Sequence, residues 1–142
     1  MSEINRTVAL RWFEEVWNQR LEATIDELMA PHCVGHMEGI EINGPKEFKQ
    51  VRLALITAFP DINLTVEGTV AEGDKVVVRW RATGSHRGEG FGLAATEAPV
   101  DFRGITWLLM AGGRIVEGWD AWNQGALVEQ LRAVNDKRLR SA

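Results

Sequence analysis

A single cysteine, Cys33, stands in 142 residues, so no intrachain disulfide and no thiolate zinc cluster can form. No apolar run approaches the length of a membrane span. The first residues, Met1-Ser2-Glu3-Ile4-Asn5-Arg6, hold no apolar signal-peptide stretch, so a cytoplasmic location is expected. An excess of positive charge is also missing. The net charge is −4, and the basic residues are dispersed apart from Lys137-Arg138-Leu139-Arg140. A nucleic-acid or membrane partner is therefore not expected. There is no internal repeat, linker or low-complexity segment, which predicts one domain over residues 1–142. No nucleotide fingerprint, Ser-His-Asp arrangement or activated cysteine is visible. Gly88-Glu89-Gly90-Phe91-Gly92 looks like a phosphate loop, but Ala95-Thr96-Glu97-Ala98-Pro99 leads into a strand and not into the helix such a loop needs. No cofactor is expected.

Aromatic surface is plentiful but unevenly chosen: six Trp, five Phe and no Tyr. Trp offers a large apolar face with one donor, which suits core packing and also the wall of a pocket for a flat ring system.

The chain opens with helical periodicity. Ile4, Val8, Trp12 and Val16 recur every fourth residue, with Phe13 and Trp17 widening the stripe, which predicts a helix over 4–18. Thr24-Ile25-Asp26-Glu27 reads as a capping box opening a short second helix, ended by Pro31. A short strand is expected over 33–37. Gly44-Pro45 starts a third helix, with Phe48, Val51, Leu55 and Phe59 on its buried side and Pro60 as its stop. The period then changes to alternation. Ile62, Leu64 and Val66 oppose Asn63, Thr65 and Glu67; after the turn Glu72-Gly73-Asp74, Val76, Val78, Trp80 and Ala82 oppose Arg79 and Arg81. A glycine-rich loop over 87–98 is expected as a flexible rim or lid, with Phe91 placed to fold over a ligand. A strand over 100–110, the turn Ala111-Gly112-Gly113 and a last strand follow. Asn123 caps a closing helix with Leu127, Leu131 and Val134. The order is α+β: helices, a long antiparallel meander, then a helix. A curved sheet wrapped against helices leaves an apolar pocket, a natural small-molecule site.

The last strand, Gly113-Arg114-Ile115-Val116-Glu117-Gly118-Trp119-Asp120-Ala121-Trp122, places Asp120 on the face of Val116 and Trp122, opposite Glu117. An acid on an apolar face is costly unless paired, protonated or useful. Burial against Trp122 disfavours its charged form and prepares it for proton transfer near neutral pH. His32, His36 and His86 invite a metal reading, but Pro31 and Gly35 argue against the helix that would align the first two, so no metal is expected.

This order, with Gly44-Pro45-Lys46-Glu47-Phe48, Phe59-Pro60-Asp61, Gly84-Ser85-His86-Arg87-Gly88, Phe102-Arg103-Gly104-Ile105, the last strand and Gly125-Ala126-Leu127-Val128-Glu129-Gln130-Leu131, resembles the SnoaL-like polyketide cyclases of the nuclear transport factor 2-like superfamily. The resemblance implies a cone-shaped curved sheet around the N-terminal helices, and Asp120 as general acid/base. It implies that His36 points into the cavity as a second catalytic group, and that Thr106 stands where the cyclases keep a His. The implied reaction is intramolecular aldol cyclisation of an aromatic polyketide-like substrate, in a setting of antibiotic biosynthesis. Trp80, Trp122, Phe91 and Phe59 would hold the flat body and Thr106 would orient an oxygen. Alternatives within the fold are a tailoring hydroxylase, monooxygenase or isomerase, and a non-catalytic small-molecule binder. A homodimer paired through the open sheet face is expected.

Overall fold

The computed structural model describes residues 2–141. The first helix, α1 (Ser2–Arg11), passes directly into a π-helical segment, Trp12–Asn18. Its wider turn is visible in the bond from Gln19 N to Glu14 O (2.9 Å), five residues back, and Leu21 N closes the end of the segment on Glu15 O (2.8 Å). The carbonyl of Val16 is taken by the buried Arg52, whose Nε donates to it at 3.0 Å. Widening the turn puts Trp12, Phe13, Val16 and Trp17 all inside, a broader apolar face than a regular turn presents. Helix α2 (Glu22–Leu28) begins two residues before the expected capping box. Thr24 makes no cap; its hydroxyl donates to Glu15 Oε1 at 2.8 Å and ties α2 to the π-helical segment. The helix stops at Leu28, and Pro31 lies inside the strand that follows.

That strand, β1 (Met29–Met37), is longer than expected and forms a hairpin with β2 (Ile40–Asn43). Helix α3 (Gly44–Ala58) carries Pro45 in its first turn and ends before Pro60. Strands β3 (Asn63–Glu72), β4 (Lys75–Ser85), β5 (Pro99–Ala111) and β6 (Arg114–Trp122) make the antiparallel meander. Helix α4 (Gln124–Ser141) closes the order, with Asn123 Oδ1 accepting from Ala126 N at 2.9 Å as the expected cap.

The architecture is α+β, with a six-stranded curved sheet in the order β2-β1-β6-β5-β4-β3 that does not close. One pairing, β1 with β6, is parallel; it joins the hairpin to the end of the meander and completes the wall opposite β3. Pairing slips by one residue at Glu67 on β3 and at Val116 on β6, and such bulges bend the strands that carry them. The concave face packs on the N-terminal helices: Val76, Val78, Trp80 and Ala82 are buried there, as alternation predicts, against Trp12, Phe13 and Val16. Among the described residues no helix is long and apolar enough to cross a membrane.

Candidate active site

The concave face and the helices enclose a cavity with about 100 Å³ open to the centres of water molecules. One water needs roughly 10–15 Å³ of such space, so the cavity is several waters in size. Its floor is buried and apolar, formed by Trp12, Trp17, Leu64 and Leu108 among others. Its partly exposed rim is the α3 side chains Phe48, Val51 and Leu55 facing Met37, Gly118 and Trp122. Among the described lining residues there is no Lys, Arg or His; the titratable ones are Asp120 and Cys33. Burial pushes the Cys33 thiol up to about 11, with the Glu117 charge adding to the effect, so no thiolate is present near neutral pH.

Asp120 is enclosed by protein, and the surface it keeps opens into this cavity. Desolvation raises its carboxyl above the ordinary range, and the hydrogen bond from Thr106 pulls part of the way back. Thr106 faces Asp120 directly across the β5–β6 ladder, and its hydroxyl donates to Asp120 Oδ1. Thr106 Oγ1 in turn accepts from Trp80 Nε1 at 2.9 Å. A chain of donors thus runs Trp80, Thr106, Asp120. No described protein group bonds Oδ2 of Asp120.

Strand parity puts Asp120 and Trp122 on the cavity wall as the sequence predicts, while Val116 packs partly buried against the core without lining the cavity. The bulge at Val116 resets the alternation, so Ile115 and Gly118 line the cavity. Trp80, Trp122 and Thr106 lie on the wall. Phe102, which sequence reasoning did not single out, lies there too; it stacks on Trp122 (centroids 4.9 Å apart) and meets Trp80 edge-on at 6.0 Å. Its even-numbered phase with Thr106 on β5 was the available signal.

Three expected contributors lie elsewhere. His36 does not point into the cavity: Cys33, Gly35 and Met37 take the inward positions of β1, so His36 faces out. There it pairs with Glu117 Oε2 through Nε2 at 2.7 Å and stacks on Trp119 with centroids 5.3 Å apart. Phe59 is 0% exposed and sits behind the wall, packed on Phe102, His86 and Phe91. Phe91 covers Phe59 and not the cavity. Its loop is pinned and is not a free lid. His86, fully buried, accepts at Nδ1 from Thr96 N (3.2 Å), which leaves its ring hydrogen on Nε2 to meet Gly90 O at 3.3 Å. Gly88 N donates to Ala58 O, and a Cβ on Gly88 would lie 1.8 Å from Thr57 O, so the loop seats tightly on the end of α3. His32 is exposed on β1, so the three histidines do not converge.

The family model for SnoaL-like polyketide cyclases matches residues 7–131. Among solved structures, a candidate SnoaL-like polyketide cyclase from Jannaschia sp. CCS1 is 25% identical, with 92% of each chain covered and a TM-score of 0.86. AclR, a candidate hydroxylase from Streptomyces galilaeus, is 26% identical over 94% of this chain and 83% of its own, with a TM-score of 0.84. IdmH, a candidate polyketide cyclase from Streptomyces antibioticus, is 27% identical over 89% of this chain and 97% of its own, at 0.79. No curated protein is a significant match to the sequence.

Proposed function

The chain belongs to the SnoaL-like polyketide cyclase family, and on that premise we propose that it is a cofactor-independent acid/base enzyme acting on a flat, uncharged, polyketide-like ketone. The observation that carries this reading is the single carboxyl in an apolar cavity, raised by desolvation, with one oxygen bonded and the other free. A wall without a cation offers nothing to a carboxylate or phosphate, whereas Trp80, Phe102 and Trp122 offer faces to stacked rings.

In the aldol reaction, Asp120 Oδ2 removes a proton from the carbon next to a ketone. The enolate carbon so formed bonds to a second carbonyl carbon of the same molecule. The carbonyl oxygen becomes an alkoxide and takes the proton back from Oδ2. Product and substrate are isomers, so no co-reactant is consumed. Holding the two carbons in contact inside the cavity supplies much of the acceleration. A raised carboxyl suits both halves of the transfer near neutral pH. Thr106 has its hydroxyl committed to Asp120, so it acts through the acid and not on the substrate.

The similarity to AclR supports a second reading, hydroxylation of an electron-rich, hydroquinone-type ring with dioxygen as oxidant, in which the ring itself supplies the two electrons that, with two protons, reduce the second oxygen atom to water and leaves as the hydroxylated quinone. Product formation that ceases without dioxygen selects it over ring closure. The test common to both is Asp120→Asn in a host making an aromatic polyketide with and without this protein. Loss of the new product, with retained quenching of tryptophan fluorescence by the polyketide, is the expected result. New product undiminished in Asp120→Asn sinks the acid/base role of this carboxyl, and a profile that is the same with and without the wild-type protein leaves a binding protein. We also propose that the chain pairs with a second copy through the outer sheet face, where Ile105, Trp107 and Trp119 are 48%, 45% and 40% exposed. A monomer mass by light scattering refutes this.

A further inference from the structure

Asp120 depends on a hydroxyl, and a hydroxyl rotates. Thr106 Oγ1 has one hydrogen and two lone pairs, so the side chain alone does not decide whether it gives to the acid or takes from it. Two features of the neighbouring strands decide it. The indole of Trp80 can only donate, and its Nε1 lies 2.9 Å from Thr106 Oγ1. One lone pair is thereby occupied. Within the described residues the remaining acceptor bonded to Thr106 Oγ1 is Asp120 Oδ1. If the acid donated instead, the Thr106 hydrogen would be buried without a partner, an arrangement that folded proteins avoid. The set in which each hydrogen finds an acceptor runs from Trp80 to Thr106 to Asp120.

The second feature is the glycine that lets the indole lie there. Gly104 is the cross-strand partner of Trp80, two residues before Thr106 on the same face. A Cβ on Gly104 would stand 2.3 Å from Trp80 Cζ2 and 2.8 Å from Cε2, the ring carbon bonded to the donor nitrogen. Any side chain at 104 displaces the ring that carries the donor. A glycine within a strand marks a close approach of this kind.

We propose that Trp80, laid across Gly104, is a positioning residue that aims the Thr106 hydroxyl at Asp120 Oδ1 and thereby reserves Oδ2 for the proton that is exchanged. This rests on the acid/base reading of the cavity, but its test does not require turnover. The carboxyl of Asp120 is followed by carbon-13 NMR against pH in the full chain, with Asp120→Asn assigning the signal. Thr106→Val sets the change produced by complete loss of the hydroxyl. Trp80→Phe keeps an apolar ring and removes the donor; Gly104→Ala keeps the donor and moves the ring. Both are expected to raise the proton affinity of Asp120 toward the Val value, by up to about tenfold, the effect of one lost hydrogen bond to an anion. Amide spectra identify the variants that remain folded, and Trp80→Phe, which only leaves space, carries the test if Gly104→Ala does not fold. Asp120 titrating at the wild-type pH in folded Trp80→Phe overturns the proposal. A shifted titration combined with undiminished product in Asp120→Asn would leave the relay standing and remove the acid/base reading of Asp120.

Discussion

Thr106→Val exchanges a hydroxyl for a methyl at nearly constant volume, at a site only 5% exposed. Two hydrogen bonds disappear: the one accepted from Trp80 Nε1 and the one given to Asp120 Oδ1. Trp80 is 6% exposed, and its stranded N–H costs about 1–3 kcal/mol. The bond to Asp120 is worth about 1.5–3 kcal/mol when the carboxylate is ionised and less when it is neutral. The new methyl returns about 0.8 kcal/mol of apolar burial. The variant is therefore expected to lose about 1–4 kcal/mol in acid and about 2–5 kcal/mol above the titration of Asp120, the difference of about 1–1.5 kcal/mol being the part that depends on pH. The direction with pH follows from the shift: the Thr106 bond lowers the acid's affinity for protons, so its stabilisation is present when Asp120 is charged and fades as pH falls through that titration. Thr106→Ser keeps the hydroxyl, gives up one methyl, and should cost about 1 kcal/mol at every pH. Urea unfolding of the three proteins, followed by tryptophan fluorescence from pH 4 to 9, measures the difference. A Val penalty, relative to Ser, that does not grow from pH 4 to pH 9 would refute the reasoning.

Three further outcomes follow from the same geometry. Asp120→Asn should stabilise the fold at pH 8 and give no gain in acid. The folded state holds the Asp120 proton more tightly than the unfolded chain, so stability falls as pH rises from the ordinary carboxylate range and stays reduced above the raised titration; a lower melting temperature for the Asn variant at pH 8 contradicts this. Phe59→Ala should destabilise by about 3–5 kcal/mol while leaving ligand affinity in the surviving folded protein unchanged, because Phe59 supports Phe102 from behind the wall; a change in affinity larger than that in Phe102→Leu counts against it. Cys33, buried and shifted to about 11, should resist alkylation by iodoacetamide at pH 8 until the protein is unfolded, and rapid native labelling counted by mass spectrometry argues otherwise.

Much of the fold was legible because each strand of the meander has one apolar face. Val76, Val78, Trp80 and Ala82 alternate with Val77, Arg79 and Arg81, and from Val78 onward the period-two signal needs no knowledge of neighbours. The π-helical segment was not legible, since Ile4, Val8, Trp12 and Val16 fit a regular helix equally well. The widened segment is met by Arg52, which reaches Val16 O from a helix 36 residues away, a contact that no local pattern announces. Thr24 carried the local signature of a cap, yet Glu15 offered its hydroxyl a better partner. Strand β2 is four residues long and mostly exposed, so it shows no periodicity of its own; it exists because β1 offers it a ladder.

The site divides along the same line. The inward position of Asp120 and Trp122 follows from alternation. That of Ile115, in place of Val116, does not, because a bulge is a property of two paired strands. His36 was misplaced by analogy although its neighbours pointed the right way: Cys33 and Met37 are apolar and flank it at the inward phase, so an outward imidazole was the reading their alternation favoured. The relay to Asp120 lay further from view, since it needs the register that sets Trp80 against Gly104 and Thr106 against Asp120. Even so, the chain carried one local mark of it. Gly104 interrupts the inward-facing row Val100, Phe102, Thr106, Leu108 and Met110, where a strand otherwise gains by filling each position with a side chain. A gap in such a row has to be filled from the neighbouring strand, and Trp80, on the apolar face of β4, is large enough to fill it while bringing a donor to Thr106.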